Sequence, residues 1–274
     1  METNGLEVSA ALARLLADSG TTHVSVSLDG ARPETHDAIR GVRGAHRRAL
    51  AGVRHLREAG LPPQLIMTLM AENAGELEAL LDLAREVGAS SVKLNIVQPT
   101  LRGEELQAAG QGLGIRELLA INRRIEEIRV SYPFPIHYDL PMAFRSIKHI
   151  VAGDGCSVCG IWTILGLLAD GHYALCGIGQ NVAELVFGPA GQGELERIWR
   201  EHPVLVELRQ RLPDELEGIC GRCIMRNACL GSCVAQNYYR RHSLLAPYWL
   251  CELAEQEGLF PQTRLRSEGD IADA

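Results

Sequence analysis

All eight cysteines of this chain lie between Cys156 and Cys251, and none precedes Cys156. They are grouped: Cys156-x2-Cys159, then Gly171-x4-Cys176, then Cys220-x2-Cys223-x5-Cys229-x3-Cys233, and last Cys251. Four thiolates complete one tetrahedral zinc site or one iron–sulfur cluster, so eight make two sets. The short intervals suit ligand loops wrapped around an ion or cluster. C-x2-C pairs also fit a shared metal better than the disulfide framework of a secreted scaffold, although four bridges are the alternative.

Length and charge bound the rest. The 274 residues suffice for one large domain or two modest ones. A net charge of −7 argues against nucleic acid or an anionic membrane as the main partner. There is no long apolar run and no charged-then-apolar leader, which predicts no spanning helix, no secretory signal and a reducing, cytoplasmic setting. In that setting paired thiols are read as metal ligands.

The first half alternates helices and strands, and the class is α/β. Leu12, Leu15 and Leu16 stripe a helix over about 6–19. A strand at 23–28 closes on Asp29-Gly30. Ala45, Ala49, Val53 and Leu56 mark one face of a helix ended by Gly60. A strand follows at 65–70, then a helix through Leu77, Leu80, Ala84 and Val87. The third strand spans 91–97, and Leu118, Ile121, Ile125 and Ile128 mark a further helix. Strand–helix–strand units of this length imply parallel pairing with ligands at the carboxyl ends of the strands. Three strands make a poorly covered sheet. The Met1-Glu-Thr-Asn-Gly5 segment reads as the end of an earlier strand, with further strands expected from outside the sequence.

Residues 131–155, with Tyr132-Pro-Phe-Pro-Ile136 and Gly153-Asp-Gly155, are turn-rich and read as a linker between a domain at 1–130 and a cysteine-rich domain at 156–274. In the latter, Trp162–Leu168 and Tyr173–Cys176 around Asp170-Gly171 predict a β-hairpin. Residues 194–211 look helical, interrupted at Pro203.

Taken together, these residues resemble a radical S-adenosylmethionine (SAM) enzyme with a C-terminal SPASM domain, the group of sulfatase maturases and peptide-modifying maturases. The cysteine series from Cys156 to Cys251, with Gly171 in place, follows the SPASM spacing throughout. In the first half, Ser27-Leu-Asp-Gly30 followed by His36-Asp-x-x-Arg40-Gly41 resembles the fourth barrel strand and its loop. Asn73, Gln98-Pro99 and Arg102-Gly103 fit the family's order.

The resemblance implies a partial (β/α)6 barrel followed by an α+β SPASM domain. It implies two auxiliary [4Fe–4S] clusters with interleaved ligands. Cys156, Cys159, Cys176 and Cys233 would hold the first, and Cys220, Cys223, Cys229 and Cys251 the second. Spacing alone groups Cys220, Cys223, Cys229 and Cys233 as one local site, and both groupings stand at this stage. SAM would meet Ser27, Asp29 and Arg40. For these three an ordinary strand-end turn and salt bridge are equal alternatives. Asn95 and Gln98 are candidates to line a substrate cavity. Tyr238, Tyr239, Tyr248 and Trp249 are expected to pack around a cluster. Gly177 stands where sulfatase maturases carry an acidic residue, so that particular activity does not carry over.

One departure stands against these matches. The sequence holds no C-x3-C-x2-C motif, whose three thiolates would carry a third [4Fe–4S] cluster for SAM, and no Gly-Gly-Glu-Pro segment. Three accounts follow: a fragment of a longer enzyme, one subunit of a split enzyme, or a degenerate protein keeping only clusters or zinc. The expected function is that of the C-terminal part of an enzyme that modifies a peptide or protein side chain by hydrogen abstraction. The auxiliary clusters would transfer electrons, and the partners would be a peptide or protein substrate, a missing N-terminal half or partner subunit, and an electron donor. The alternative is a non-catalytic iron–sulfur or zinc module that binds a peptide or a SAM-binding subunit.

Overall fold

The computed structural model describes residues 1–151 and 159–266. The chain divides into two compact units, the first ending at Leu140 and the second beginning at Pro141.

The first unit runs β1 (Glu2–Thr3), α1 (Ala10–Asp18), β2 (Ser25–Ser27), α2 (Pro33–Arg40), α3 (Ala45–Glu58), β3 (Gln64–Leu69), α4 (Leu77–Glu86), β4 (Ser91–Ile96), α5 (Arg102–Ala108), α6 (Ile115–Ile128) and β5 (Ile136–Tyr138). The strands form one sheet in sequence order, and every neighbouring pair is parallel. The Met1–Gly5 segment does carry a strand, β1. A fifth strand lies inside 131–155, the stretch read above as a linker. Pro133 and Pro135 precede it and mask its short alternation in the sequence.

The period of two in these strands sorts their residues by chemistry. On one face, Val24, Val26, Leu28, Leu65, Met67, Leu69, Val92 and Leu94 are almost fully buried. Burying such a side chain contributes about 1.5–3 kcal/mol. Helices supply the other side of this core: Ala45, Ala49, Val53 and Leu56 of α3, Leu80, Leu81 and Ala84 of α4, and Ile115 and Leu118 of α6. The Tyr138 hydroxyl donates to the carbonyl of Leu118 at 3.1 Å, fastening β5 to α6. The first helix differs from its expected stripe. It packs against α3, with Ala13 fully buried and Leu15 63% exposed. The chain passes too close there for a bulky residue: a side chain on Gly5 would stand 2.8 Å from Val26 Cγ1.

The opposite face is polar. Register sets Ser27 beside Ile66, Ile66 beside Lys93, and Lys93 beside His137; Thr68 lies beside Asn95. Deeper along the strands, the Ser25 hydroxyl donates to Gln64 Oε1 at 3.3 Å, and Gln64 Nε2 donates to Ser91 Oγ at 2.9 Å.

The second unit contains α7 (Ile147–Val151), the antiparallel strands β6 (Gly166–Leu167), β7 (His172–Ala174) and β8 (Val186–Pro189), then α8 (Glu194–Glu201), α9 (Pro203–Arg211), α10 (Gly218–Arg222), α11 (Arg226–Cys229), α12 (Val234–Arg241) and α13 (Trp249–Gln256). The expected hairpin is β6–β7, with the Asp170 carboxylate accepting from the His172 N–H at 3.1 Å across the turn. The break at Pro203 separates α8 from α9, since proline has no N–H to donate and is suited to a helix start. No helix among the described residues is long and apolar enough to cross a membrane.

Candidate functional site

Two places concentrate polar or metal-ligating chemistry, one in each unit. The first is the carboxyl edge of the parallel sheet. Asp29, just past β2, is 3% exposed. Its Oδ2 meets Arg40 Nη2 at 2.7 Å, and its Oδ1 accepts from the Thr68 N–H at 2.9 Å. Its N–H donates to His36 Nδ1 at 3.0 Å. Its carbonyl accepts from Asn73 Nδ2 at 2.8 Å, and the same amide also donates to the Thr68 carbonyl at 2.8 Å. Asn73 Oδ1 accepts from the Met70 N–H at 2.7 Å, so a fully buried amide is satisfied on both sides.

The His36-Asp-x-x-Arg40-Gly41 motif is thereby explained as a fastener. Gly41 takes a φ of 65°, a left-handed conformation that ends α2 at low cost. The Asp37 carboxylate then accepts from the N–H groups of Gly44 and His46, where α3 begins, and these bonds hold it below its usual pKa. Burial lowers the His36 pKa to about 4, so the imidazole is neutral. Glu76 accepts from Thr35 Oγ1 and from Arg32, tying α2 to the segment before α4. Asp29 and Arg40, expected to meet a cofactor, pair with each other, and both Asp29 oxygens have partners within the chain. Ser27 differs: it is half-buried on the polar face, and its hydroxyl has no hydrogen bond among the described residues. Asn95 and Lys93 are half-buried on that same face, and Gln98 Nε2 lies 3.5 Å from Asp139 Oδ2. Lys93 and His137 were missed by sequence reasoning. The alternation of Ser91-Val-Lys-Leu-Asn-Ile96 carries the signal for Lys93.

The second place is a cavity in the second unit. Cys220, Cys223, Cys229 and Cys251 line it together with Pro141, Ala143, Ile219, Met225 and Phe260. Each thiol arrives by a different route. Cys220 lies on the one-turn helix α10, and Cys223 directly follows it. Cys229 ends α11, and Cys251 faces inward from α13. The Tyr248 N–H donates to Cys220 Sγ at 3.3 Å, and the Met225 N–H to Cys223 Sγ at 3.4 Å. Tyr248 and Trp249 are both buried beside this last ligand segment.

The electrostatics are those of crowded thiols in an apolar setting. Burial, with Cys220 alongside, pushes Cys229 up to about 12. Cys251 stands well above the ordinary thiol range because it donates its proton to Cys220 and is buried. Cys220 is lowered by that same hydrogen bond. Burial raises Cys223. A donor set of four soft sulfurs fits an iron–sulfur cluster or zinc. Among the described residues, no three His, Cys, Asp or Glu side chains are grouped tightly enough to hold a single ion.

Cys233 does not line that cavity. It caps α12, which packs against the 3-10 turn Gly179–Asn181 just beyond Cys176. Burial raises the Cys159 pKa, and the neighbouring Cys176 adds to the rise, so these two thiols are close. Cys156 lies outside the described residues. The geometry therefore separates Cys251 from Cys233 in a way that the intervals between cysteines do not.

Comparison with known proteins follows the same lines. Residues 1–84 match the model of the radical SAM superfamily. An AdoMet-dependent heme synthase of Methanosarcina barkeri is 28% identical over 248 residues, covering 87% of this chain and 69% of that protein. The mycofactocin maturase MftC of Mycobacterium ulcerans is 26% identical, covering 86% of this chain and 62% of the relative. Among solved structures, anSMEcpe with bound AdoMet and Cp18Cys peptide superposes with a TM-score of 0.67 at 14% identity, over 93% of this chain and 71% of that one. SuiB of Streptococcus suis bound to the precursor peptide SuiA gives 0.65 at 15% identity, over 92% and 58%. Residues 1–84 thus match the radical SAM superfamily, and the α/β fold is like that of the solved radical SAM/SPASM enzymes.

Proposed function

We propose that this chain is the substrate-facing and auxiliary-cluster part of a radical SAM/SPASM enzyme that modifies a peptide or protein side chain. The observation that carries this reading is the convergence of Cys220, Cys223, Cys229 and Cys251 on one apolar cavity. They would hold one [4Fe–4S] cluster, and Cys156, Cys159, Cys176 and Cys233 the other. When bound, such clusters supply one-electron chemistry near the substrate. A full set of cysteine ligands at each leaves no iron for a substrate atom, which favours electron transfer over direct ligation. Two relatives support a peptide substrate: MftC is named a maturase, and SuiB was solved with a precursor peptide.

The chain's own residues have distinct parts in this reading. Asp29, Arg40, His36 and Asn73 lock the carboxyl ends of β2 and β3 in place. Ser27 then presents its hydroxyl where the SAM ribose would lie, and Lys93 and Asn95 face the substrate.

A second reading has one observation in its favour: no cysteine precedes Cys156. On that reading the chain is a non-catalytic iron–sulfur or zinc module that recognises a peptide or a SAM-binding partner. Anaerobic reconstitution with iron and sulfide decides the foundation of both. About eight iron atoms and matching sulfide per chain are expected for two cubane clusters. Stoichiometric zinc without sulfide would overturn the cluster assignment.

A further inference from the structure

The chain between Cys229 and Cys233 is wound against the preference of its residues. Leu230, Gly231 and Ser232 take φ values of 53°, 73° and 61° in succession. Glycine enters this left-handed region freely, but other L-residues visit it at a cost and singly. Two of these three carry a β-carbon. Such backbone persists only where its surroundings over-determine it, and it collects at functional sites.

The groups that hold this winding are close by. Asn237, 1% exposed on α12, donates from Nδ2 to the Gly231 carbonyl at 2.8 Å. The Leu230 N–H donates to the Arg226 carbonyl and the Ser232 N–H to the Cys229 carbonyl, both at 2.9 Å. Leu230 is itself buried, and a side chain on Gly231 would stand 3.1 Å from Leu216 Cδ2. The effect of the run follows from the cysteine spacing. The helix α11 ends at Cys229. A right-handed continuation would carry Cys233 one turn further on the same helix face, with the two β-carbons roughly 5–6 Å apart. Thiols so placed would serve one centre. Instead Cys229 lines the cavity with Cys220, Cys223 and Cys251, while Cys233 does not line it and opens α12.

We infer that the left-handed run Leu230–Gly231–Ser232, held by Asn237, is a partition device: it withdraws Cys233 from the cysteine cavity, so that two cysteines four residues apart enter different metal centres. The inference rests on the proposed ligation of this cavity. Asn237 acts on the path of the chain and is a positioning residue, distinct from the ligands. With the run released, Cys233 competes with Cys251 for the fourth place in the cavity.

The test uses the full chain with Cys159→Ser and Cys176→Ser, reconstituted anaerobically with iron and sulfide, so that the cavity centre alone reports. About four iron atoms per chain are expected. A chain without iron refutes the proposed ligation itself, before the run enters. Cys251→Ser or Cys233→Ser is then added, and iron loss to a chelator and the EPR signal of the reduced cluster are followed. With the native run, Cys251→Ser should speed iron loss at least about tenfold, since lost outer-shell partners alone weaken metal binding about 10- to 100-fold. Cys233→Ser should change neither readout. Ser232→Val disfavours the left-handed region, and Asn237→Ala frees the Gly231 carbonyl. Each should admit Cys233: the penalty of Cys251→Ser should largely disappear, with an altered EPR signal that Cys233→Ser then abolishes. Ser232→Gly accepts positive φ and should behave as the parent. If Cys233→Ser stays silent in the Val and Ala variants, the run partitions nothing and the proposal falls. It falls too if Ser232→Gly admits Cys233 as Ser232→Val does, or if the native run already requires Cys233 in place of Cys251. If Ser232→Val does not fold, Asn237→Ala decides by the same comparison.

Discussion

Asp29 and Arg40 meet at 2.7 Å across the loop after β2, and the Asp29 carboxylate is buried while the Arg40 side chain is one-third exposed. Deleting the arginine leaves a buried carboxylate with only the Thr68 N–H. Arg40→Met should therefore destabilise the first unit by about 2 kcal/mol, discounted from the 3–5 kcal/mol of a fully buried pair for the solvent that reaches Arg40. Asp29→Asn combined with Arg40→Met should cost less than the sum of the two single changes. Urea unfolding of the four proteins measures this, and strict additivity would dismiss the pairing.

His36 makes stability depend on pH. Its folded pKa of about 4 lies below the ordinary value of 6.5, so the unfolded chain binds the proton more readily. The contribution is fully present above pH 6.5 and is lost as pH falls toward 4. By pH 5 this amounts to about 2 kcal/mol. Urea midpoints at pH 7 and pH 5 should differ more in the parent than in His36→Gln. Equal differences would show that His36 is not the titrating group.

The sorting of Cys233 from Cys251 can be read by counting iron. Cys251→Ser and Cys229→Ser should remove the same cluster, and Cys233→Ser the other, each leaving about four iron atoms of eight. EPR of the reduced proteins should show one shared surviving signal for the first two variants and a different one for the third. If Cys233→Ser and Cys229→Ser leave the same signal, the local grouping by spacing is right.

Metal uptake should release protons. Cys229 at about 12 and the raised Cys223 and Cys251 keep most of the cavity's thiols protonated at neutral pH. Ligands must be deprotonated to bind, so the apparent affinity for a cluster in anaerobic reconstitution with iron and sulfide should rise at least about tenfold per pH unit between pH 6 and pH 8. A pH-independent affinity would mean the thiols are already ionised.

The sequence made the long apolar strands β3 and β4 and the helices α3, α4 and α6 legible, because their buried faces recur with a clear period. It concealed α2 and α5. Pro33-Glu-Thr-His and Arg102-Gly-Glu-Glu are too polar to show a stripe, and the α2 segment is held by side-chain bonds to Glu76 rather than by an apolar face. The third strand of the second sheet, β8, was hidden by its own Gly188 and Pro189. In the candidate site the cysteines announced themselves, but their partition did not. The interval Cys229-x3-Cys233 looks local until Cys229 is seen to line the cavity and Cys233, which caps α12, is not.

The cavity's lining has one more consequence. It gathers Pro141 and Ala143 from the start of the second unit, the cysteines of its middle, and Phe260 from near the end of the described chain. A metal centre bound there would act as a clasp over most of that unit, so that releasing the metal and opening the unit become one event. A chelator would then work on this half of the molecule as a solvent of its fold.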